Sequence, residues 1–243
     1  MKVGLLNWSG HQNLGDDAMA EVLQRYLPEA VNMGETPQPA DWHILGGGTL
    51  ISPLSLFFSK LHNPEKTIGI SLGVSCNWKG EHSDILMRMK KIYTRDYFSH
   101  EVLKKYGVEN TLSFDLLCEI GANKNKNKEG IFANFLHQFP HLKWVINKYF
   151  ALSPIEDKQA MPDAKVYTSA ILLREDLATA ERIFATRLHA NIIAWLSGCK
   201  NIYSIPYDMK VIHFWDRVKG IKVEEAQKVI KEHIKEICQI VSN

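Results

Sequence analysis

The stretch IFATRLHA at residues 183–190 joins a short apolar run to the start of a helical pattern. Ile183 to Thr186 has the length and composition of a buried strand, and Leu188 to Ser197 has the spacing of a helix. Arg187 stands at the junction with a planar fork of donors that fits a carboxylate or a phosphate, beside a helix terminus that favours anions. His189, two residues on, exchanges a proton near neutral pH. The stretch predicts a parallel α/β sheet with an anion site at the end of one strand.

The same residues also have a purely structural explanation. Arg187 would then pair with an acidic residue between two lobes, and His189 would be a satisfied, half-buried histidine. The sequence alone leaves both explanations open.

Strand and helix patterns alternate in the same way through the first half of the chain, which predicts βαβ units on a parallel sheet. The predicted strands are Val3 to Asn7, Trp42 to Leu45, Thr67 to Leu72, Lys91 to Thr94 and Thr111 to Phe114. The predicted helices are Asp17 to Tyr26, His82 to Lys90 and Tyr97 to Tyr106, the last of which Gly107 closes. Five strands of this kind make one Rossmann-like lobe.

Residues 123–129 form a polar, low-complexity stretch that predicts a linker between two domains. We therefore expect an N-terminal Rossmann-like lobe at residues 1–122 and a smaller, reduced lobe at residues 130–243. The smaller lobe has predicted strands at Gly130 to Phe135, Lys165 to Thr168, Ile183 to Thr186 and Asn201 to Ile205, and predicted helices near Leu142 to Phe150, at Arg174 to Glu181 and at Leu188 to Ser197. The last segment, Val223 to Val241, has one apolar helical face and is expected to pack as the terminal helix of that lobe.

Composition narrows the classes of function. The 243 residues include 29 Lys and Arg against 27 Asp and Glu, so the net charge of +2 gives no global attraction to nucleic acid or to an anionic membrane. No apolar run is long enough for a signal-peptide core or a membrane span, so we expect a cytoplasmic protein without an integral membrane segment. The four cysteines lie far apart and without metal-ligand spacing, so we predict no metal site.

Two glycine-containing segments each follow a predicted strand. NLGDDA at residues 13–18 opens a helix, whose N-terminal N–H groups and partial positive charge suit a phosphate or a carboxylate. The alternative is that Asp16 or Asp17 is an ordinary N-cap. LGGGTL at residues 45–50 contains three consecutive glycines, which indicates either a close backbone approach to a ligand or to the other lobe, or a sharp turn without a ligand.

The order of these segments resembles the polysaccharide pyruvyl transferase family. The ordered motifs are N-x-G-D-x-A from Asn13, G-G-G from Gly46, R-D-x-x-S from Arg95 and R-L-H-A from Arg187, and the similarity extends to about Phe214. The resemblance implies two Rossmann-like halves facing a cleft, similar to the GT-B arrangement of glycosyltransferases. It also implies an enzyme that moves the pyruvyl group of phosphoenolpyruvate onto two hydroxyls of a sugar or glycan as a cyclic ketal, releasing phosphate and needing no cofactor.

The resemblance associates the R-L-H segment and a later lysine with the donor. Phosphoenolpyruvate is a small trianion, so we expect Arg187, Lys210 and Arg95 to hold its carboxylate and phosphate. The other expected substrate contacts are Asn13, Gly15, Gly47, Gly48 and Leu188.

The reaction also needs an acid and a base. We expect His189 to supply the proton to the donor. Asp16 or Asp17 is expected to orient or deprotonate the acceptor hydroxyl.

Two departures from the family pattern leave other functions open. The second lobe is short between Phe150 and Lys165, and the segment at residues 68–74 lacks the proline expected after it. A contracted lobe is compatible with an unusual acceptor, with a GT-B-like glycosyltransferase that uses a nucleotide sugar, or with a non-catalytic anion-binding protein.

Overall fold

The computed structural model describes residues 1–123, 129–134, 145–153, 163–206 and 208–243. It is a mixed α/β protein with two sheets whose paired strands all run parallel. The chain divides into two compact units: unit 1 comprises Met1–Gly10, Met19–Glu119 and Glu225–Asn243, and unit 2 comprises His11–Ala18 and Ile120–Glu224. The predicted α/β class with two Rossmann-like lobes is confirmed.

Unit 1 is built on a six-stranded sheet in the order β2-β1-β3-β4-β5-β6. Its strands are β1 Val3–Leu6, β2 Val31–Gly34, β3 Trp42–Ile51, β4 Thr67–Val74, β5 Lys91–Thr94 and β6 Thr111–Leu112. Its helices are α1 Leu14–Tyr26, which starts in unit 2, then α2 Leu56–Ser59, α3 Ser83–Arg88 and α4 Tyr97–Lys105, with short 3₁₀ turns at Pro64–Lys66 and Leu116–Ile120. All eight residues of β4 are buried, as expected for the near-continuous apolar run of a central parallel strand.

Unit 2 is built on a five-stranded sheet in the order β11-β10-β7-β8-β9. Its strands are β7 Ile131–Asn134, β8 Lys148–Ala151, β9 Lys165–Val166, β10 Arg182–Ala185 and β11 Ile202–Ser204, and its helices are α5 Ala170–Leu177, α6 Leu188–Leu196 and α7 Met209–Val218. Helix α6 is buried on nearly all sides, which its apolar sequence LHANIIAWL requires. This helix therefore lies at the centre of the unit.

The last helix, α8 at Val223–Ser242, corrects the predicted domain assignment. It was expected in the second lobe, but from Glu225 onward it belongs to unit 1. The Glu236 carboxylate pairs with Lys91 of β5, and the His233 ring lies 4.4 Å from the Tyr93 ring of the same strand. The predicted apolar face is correct, since it buries Ala226, Ile230, Ile234, Ile237 and Val241. The amphipathic pattern identified the buried face but carried no information about which sheet would cover it.

Three other expectations need correction. Lys148 to Phe150 was expected to end a helix, but these residues form strand β8, because they pair with β7; the start of that predicted helix lies outside the described residues. Strand β2 and helices α2 and α7 were not predicted. The longer segment of unit 2 begins at Ile120, ahead of the predicted linker, most of which lies outside the described residues.

Over the described part of the chain, no helix is long and apolar enough to cross a membrane.

Candidate functional site

The R-L-H segment lies at the topological switch point of the second sheet. The chain runs from β7 to β8 on one side and returns to β10 on the other side of β7. In open parallel sheets, ligands bind beyond the carboxyl ends of the strands at such a point. Asn134 ends β7 there, and Thr186 follows β10. Their backbones are tied together, since the Thr186 hydroxyl donates to the Asn134 carbonyl at 3.0 Å.

Arg187 is the N-cap residue of helix α6 and has an extended backbone, with φ −81° and ψ 151°. Its side chain does not cap the helix and is partly exposed. Its carbonyl accepts two bonds from Asn191, from the backbone N–H at 3.0 Å and from the side-chain amide at 2.8 Å. The backbone of Arg187 is therefore fixed, and its partly exposed side chain starts beside a helix N-terminus, where an anion is favoured.

His189 packs directly on Gly15. A Cβ built on Gly15 would lie 1.9 Å from the imidazole Nδ1 and 2.1 Å from Cγ, so no other residue fits there without moving the ring. The positive φ angles near this helix start lie earlier, at Gly10 and Gln12, so Gly15 is not required by a left-handed backbone conformation. Gly15 is needed instead because the histidine occupies the space of a side chain.

The start of helix α1 is held in unit 2 by its backbone. The N–H of Leu14 donates to the carbonyl of Leu152, which follows β8, at 2.9 Å. The helix begins at Leu14, so Asp16 and Asp17 lie in its first turn and neither is its N-cap. The Asn13 side chain accepts from the Gly15 N–H at 3.3 Å. Unit 2 thus contains the N-termini of two helices, α1 and α6, on either side of the Gly15–His189 contact.

Lys210 lies in the first turn of α7. Asp208 caps this helix by accepting from the Lys210 N–H at 3.1 Å, and its other oxygen lies 3.3 Å from the Lys210 ammonium. Leu188 is buried, so its side chain belongs to the core. Of the predicted residues, unit 2 therefore holds Asn13, Gly15, Asp16, Asp17, Arg187, Leu188, His189 and Lys210.

Arg95 lies in unit 1 in a different environment. It is 6% exposed, its guanidinium donates to Thr49 at 2.7 Å, and it pairs with Asp96 at 3.5 Å and with Asp115 at 3.6 Å. A Cβ on Gly73 would lie 2.7 Å from the same guanidinium. Burial raises the pKa of Asp115, and the charge of Arg95 opposes that rise. These contacts bury the Arg95 guanidinium at the carboxyl ends of the strands of unit 1, and its predicted role in donor binding stays a prediction.

The triple glycine lies inside strand β3 rather than in a loop after it. Gly47 and Gly48 have φ of +73° and +95°, which side chains rarely adopt. A Cβ on Gly47 would lie 2.6 Å from the Met19 sulfur, and one on Gly46 would lie 2.4 Å from a Leu23 methyl. The glycines therefore allow helix α1 to pack closely against strand β3.

Among the residues that the structure describes, no group of three or more His, Cys, Asp or Glu side chains is placed to hold a metal ion.

The family model for "Polysaccharide pyruvyl transferase" matches residues 13–209. The chain belongs to the polysaccharide pyruvyl transferase family. The match begins at Asn13 and ends one residue before Lys210, so it includes both helix N-termini described in unit 2 and the whole R-L-H segment. A polysaccharide pyruvyl transferase is an enzyme, and the chain is accordingly a transferase that modifies polysaccharide.

Solved structures share the fold of this pyruvyl transferase family member. A functionally uncharacterised protein from Klebsiella pneumoniae aligns with a TM-score of 0.55 at 16% identity, over 88% of this chain and 87% of the other. The wall teichoic acid polymerase TagF, soaked with CDPG, aligns with a TM-score of 0.52 at 9% identity, over 98% of this chain and 90% of the other. The second likeness supports the expected GT-B-like fold class. No curated protein matches the sequence.

The sequence did not indicate two side chains that organise the site. Asn191 bonds the Arg187 backbone, and the Trp215 indole donates to Asn191 at 3.0 Å. Asn191 lies one turn after Arg187 in a helix of otherwise mostly apolar residues, and a polar side chain in such a helix is the signal that would have singled it out.

Proposed function

We propose that the enzyme transfers the pyruvyl group of phosphoenolpyruvate to two hydroxyls of a sugar in a polysaccharide or glycan precursor. The observation that carries this proposal is the contact of His189 with Gly15, which joins the N-terminal turns of α1 and α6 in unit 2. Two helix N-termini favour negative charge, and Arg187 begins one of them. A small molecule with both a phosphate and a carboxylate suits such a pair.

The reaction consumes two hydroxyl hydrogens and releases one phosphate. One proton is added to the methylene carbon of the donor, which becomes the methyl group. The two sugar oxygens bond to C2 as the C2–O bond to phosphate breaks, and the second hydroxyl hydrogen leaves with the phosphate. The enzyme therefore has to supply a proton at one carbon, remove protons from hydroxyls, and stabilise phosphate as it leaves.

We assign these roles to the residues of unit 2. Arg187 and Lys210 bind the anionic groups of the donor, and Arg187 is suited to a bidentate contact with phosphate or carboxylate. His189 donates the proton to carbon. Asp16 or Asp17, both in the first turn of α1, orients or deprotonates the acceptor.

Calorimetric titration with phosphoenolpyruvate tests the donor assignment. We expect saturable binding by the wild type and a loss of about 100-fold or more in affinity for Arg187→Ala, because a charge-assisted bidentate contact is removed. Arg182→Ala is the matched control, since Arg182 starts the same strand β10 at its opposite end and pairs only with Glu181 in the described contacts. We expect Arg182→Ala to bind like the wild type.

Competition separates the remaining alternatives. Absence of phosphoenolpyruvate binding at millimolar concentration, together with tight binding of a nucleotide sugar, would overturn the proposal in favour of a glycosyltransferase. Binding without phosphate release over a panel of sugar acceptors would indicate a non-catalytic anion-binding protein. The expected cytoplasmic location belongs to the same proposal, and cell fractionation tests it.

A further inference from the structure

We propose that Asn191 and Trp215 are positioning residues that hold the two donor-binding cations, Arg187 and Lys210, in one arrangement. The inference rests on the proposed function, because that function gives Arg187 and Lys210 a common ligand, phosphoenolpyruvate. It adds a specific claim: the side chain of Asn191 connects the turn that carries Arg187 to the helix that carries Lys210.

Asn191 uses both ends of its side-chain amide inside the protein. Its Nδ2 donates to the carbonyl of Arg187 at 2.8 Å and to the carbonyl of Ala185 at 3.3 Å, while its Oδ1 accepts from the Trp215 indole at 3.0 Å. The residue is fully buried. The partners fix the orientation of the amide, because a flipped group would place its oxygen against two carbonyl oxygens.

Few other side chains can make this connection. Aspartate has the same shape but lacks N–H groups, so it would place a carboxylate against the carbonyls of Ala185 and Arg187 in a buried site. Leucine has a similar volume but would form no hydrogen bond with the carbonyls of Ala185 and Arg187 or with the Trp215 N–H. The apolar helix α6 thus contains one asparagine, Asn191, and its amide contacts Arg187, the N-cap residue of the same helix.

Helix α7 carries the other end of the connection. Trp215 is five residues after Lys210, a rise of about 7.5 Å along one helix. The rings of Trp195 and Phe214 meet edge to face at 5.9 Å and pack α6 against α7, while the Trp215–Asn191 bond adds a directional link. Because Asp208 caps the first turn through the Lys210 N–H, the helix is ordered up to Lys210. The orientation of Trp215 is therefore transmitted to the backbone of Lys210.

The decisive variant is Trp215→Phe, which removes the indole N–H and retains an aromatic ring. The matched control is Trp195→Phe, because Trp195 packs at the same pair of helices without bonding Asn191 in the described contacts. Loss of one buried hydrogen bond corresponds to a factor of about three to ten. We expect Trp215→Phe to weaken phosphoenolpyruvate binding by about that factor, Asn191→Asp by more than about tenfold, and Trp195→Phe by less than about twofold at a comparable loss of Tm.

A double-mutant cycle distinguishes positioning from general destabilisation. If Trp215 acts by holding Lys210 and Arg187 in one arrangement, then Trp215→Phe should weaken binding by a smaller factor in a Lys210→Ala background than in the wild type, because one of the two cations is already absent. Equal effects of Trp215→Phe with and without Lys210 would overturn the inference, and so would equal effects of Trp215→Phe and Trp195→Phe. In either case, a loss of binding in Arg187→Ala would leave the proposed function standing.

Hydrogen exchange of the ligand-free protein tests the connection without any donor. The bond from the Asn191 N–H to the Arg187 carbonyl reports the order of the Arg187 turn. We expect faster exchange at residues 187–191 and 209–212 in Trp215→Phe but not in Trp195→Phe. If the wild type binds no phosphoenolpyruvate, the proposed function fails, and unchanged exchange in Trp215→Phe would independently overturn the connection.

Discussion

Two arginines in this protein follow a threonine at the end of a parallel strand and precede a helix, yet they serve different purposes. Arg95 follows β5 in unit 1 and is enclosed by Asp96, Asp115 and Thr49. Arg187 follows β10 in unit 2, begins helix α6, and has a partly exposed side chain. One is a buried structural group and the other is a candidate ligand-binding group.

The residue after each arginine accounts for much of the difference. Asp96 caps helix α4, with its side chain accepting from the Ser99 N–H at 2.7 Å, and the same carboxylate pairs with Arg95. Leu188 stands in the corresponding place after Arg187 and enters the core. The comparison shows that a strand–Thr–Arg–helix pattern gives the location of an arginine, while the residues that follow it decide how deeply its side chain is buried.

The largest expected effect is on stability, and it separates the two arginines. Arg95→Ala leaves Asp96 and Asp115 buried without their cation, so we expect it to lower the free energy of unfolding by about 3–5 kcal/mol. Arg187→Ala should lower it by less than about 1 kcal/mol, because the side chain is partly exposed. Urea unfolding of both variants measures the difference. Equal losses would contradict the distinction between a structural and a ligand-binding arginine.

The next effect concerns the contact between His189 and Gly15. Gly15→Ala brings a methyl group against the imidazole, and we expect a loss of about 1–3 kcal/mol from overpacking. In a His189→Gly background both the ring and the Cβ, which would lie 2.6 Å from a Cβ on Gly15, are absent, so Gly15→Ala should instead be neutral or stabilising by up to about 1 kcal/mol, as expected for alanine in a helix. Urea unfolding of the four proteins measures this reversal. The same destabilisation in both backgrounds would contradict the proposed cause.

The smallest effect is a pH dependence in unit 1. Burial lowers the pKa of His233, opposed by Glu236 and Glu232 and reinforced by Lys91, and its Nδ1 lies 2.8 Å from the Ser113 hydroxyl. A lowered pKa contributes stability above the unfolded value of about 6.5, and this contribution is lost as the pH falls through the lower folded value. We therefore expect the wild type to lose stability below about pH 6.5 relative to His233→Gln, which cannot titrate.

Urea unfolding of the wild type and His233→Gln between neutral and mildly acidic pH measures that loss. Parallel stability curves would show that His233 does not contribute to it. Phosphoenolpyruvate binding provides a second comparison, because a loss of donor affinity over the same range that persists in His233→Gln would have to arise in another group.

The sequence predicted a strand or helix well when the residue pattern of that element alone was sufficient to identify it. Strand β5 has the predicted bounds, and the apolar face of α8 is correct. The missed strand β2 has the sequence VNMG, in which two of four residues are exposed and no alternation is visible. Lys148 to Phe150 became a strand because β7 and β9 pair with it on both sides. Pairing of this kind depends on partners that the local sequence does not reveal.

The residues of the candidate site also fall into two groups, those with a local sequence signal and those whose contacts come from distant parts of the chain. Arg187 and His189 were predicted because strand, cation and helix start are adjacent in sequence, and their assigned roles stay predictions. The reason for Gly15 was not predictable, because the histidine that excludes a side chain there comes from a distant helix. Asn191 and Trp215 were missed for the same reason, since only the packing of α6 against α7 brings the amide to the indole. The roles assigned to Asp16, Asp17, Lys210 and the other predicted contacts remain predictions.

The position of α8 has a consequence for how the protein is made. A ribosome completes β1 to β6 early, but the helix that buries its apolar face in their unit is the last described element to emerge. All five strands of unit 2 are synthesised before that helix exists. The sheet that is translated first therefore stays incomplete until α8 has been synthesised, and its apolar surface is exposed to aggregation during that interval.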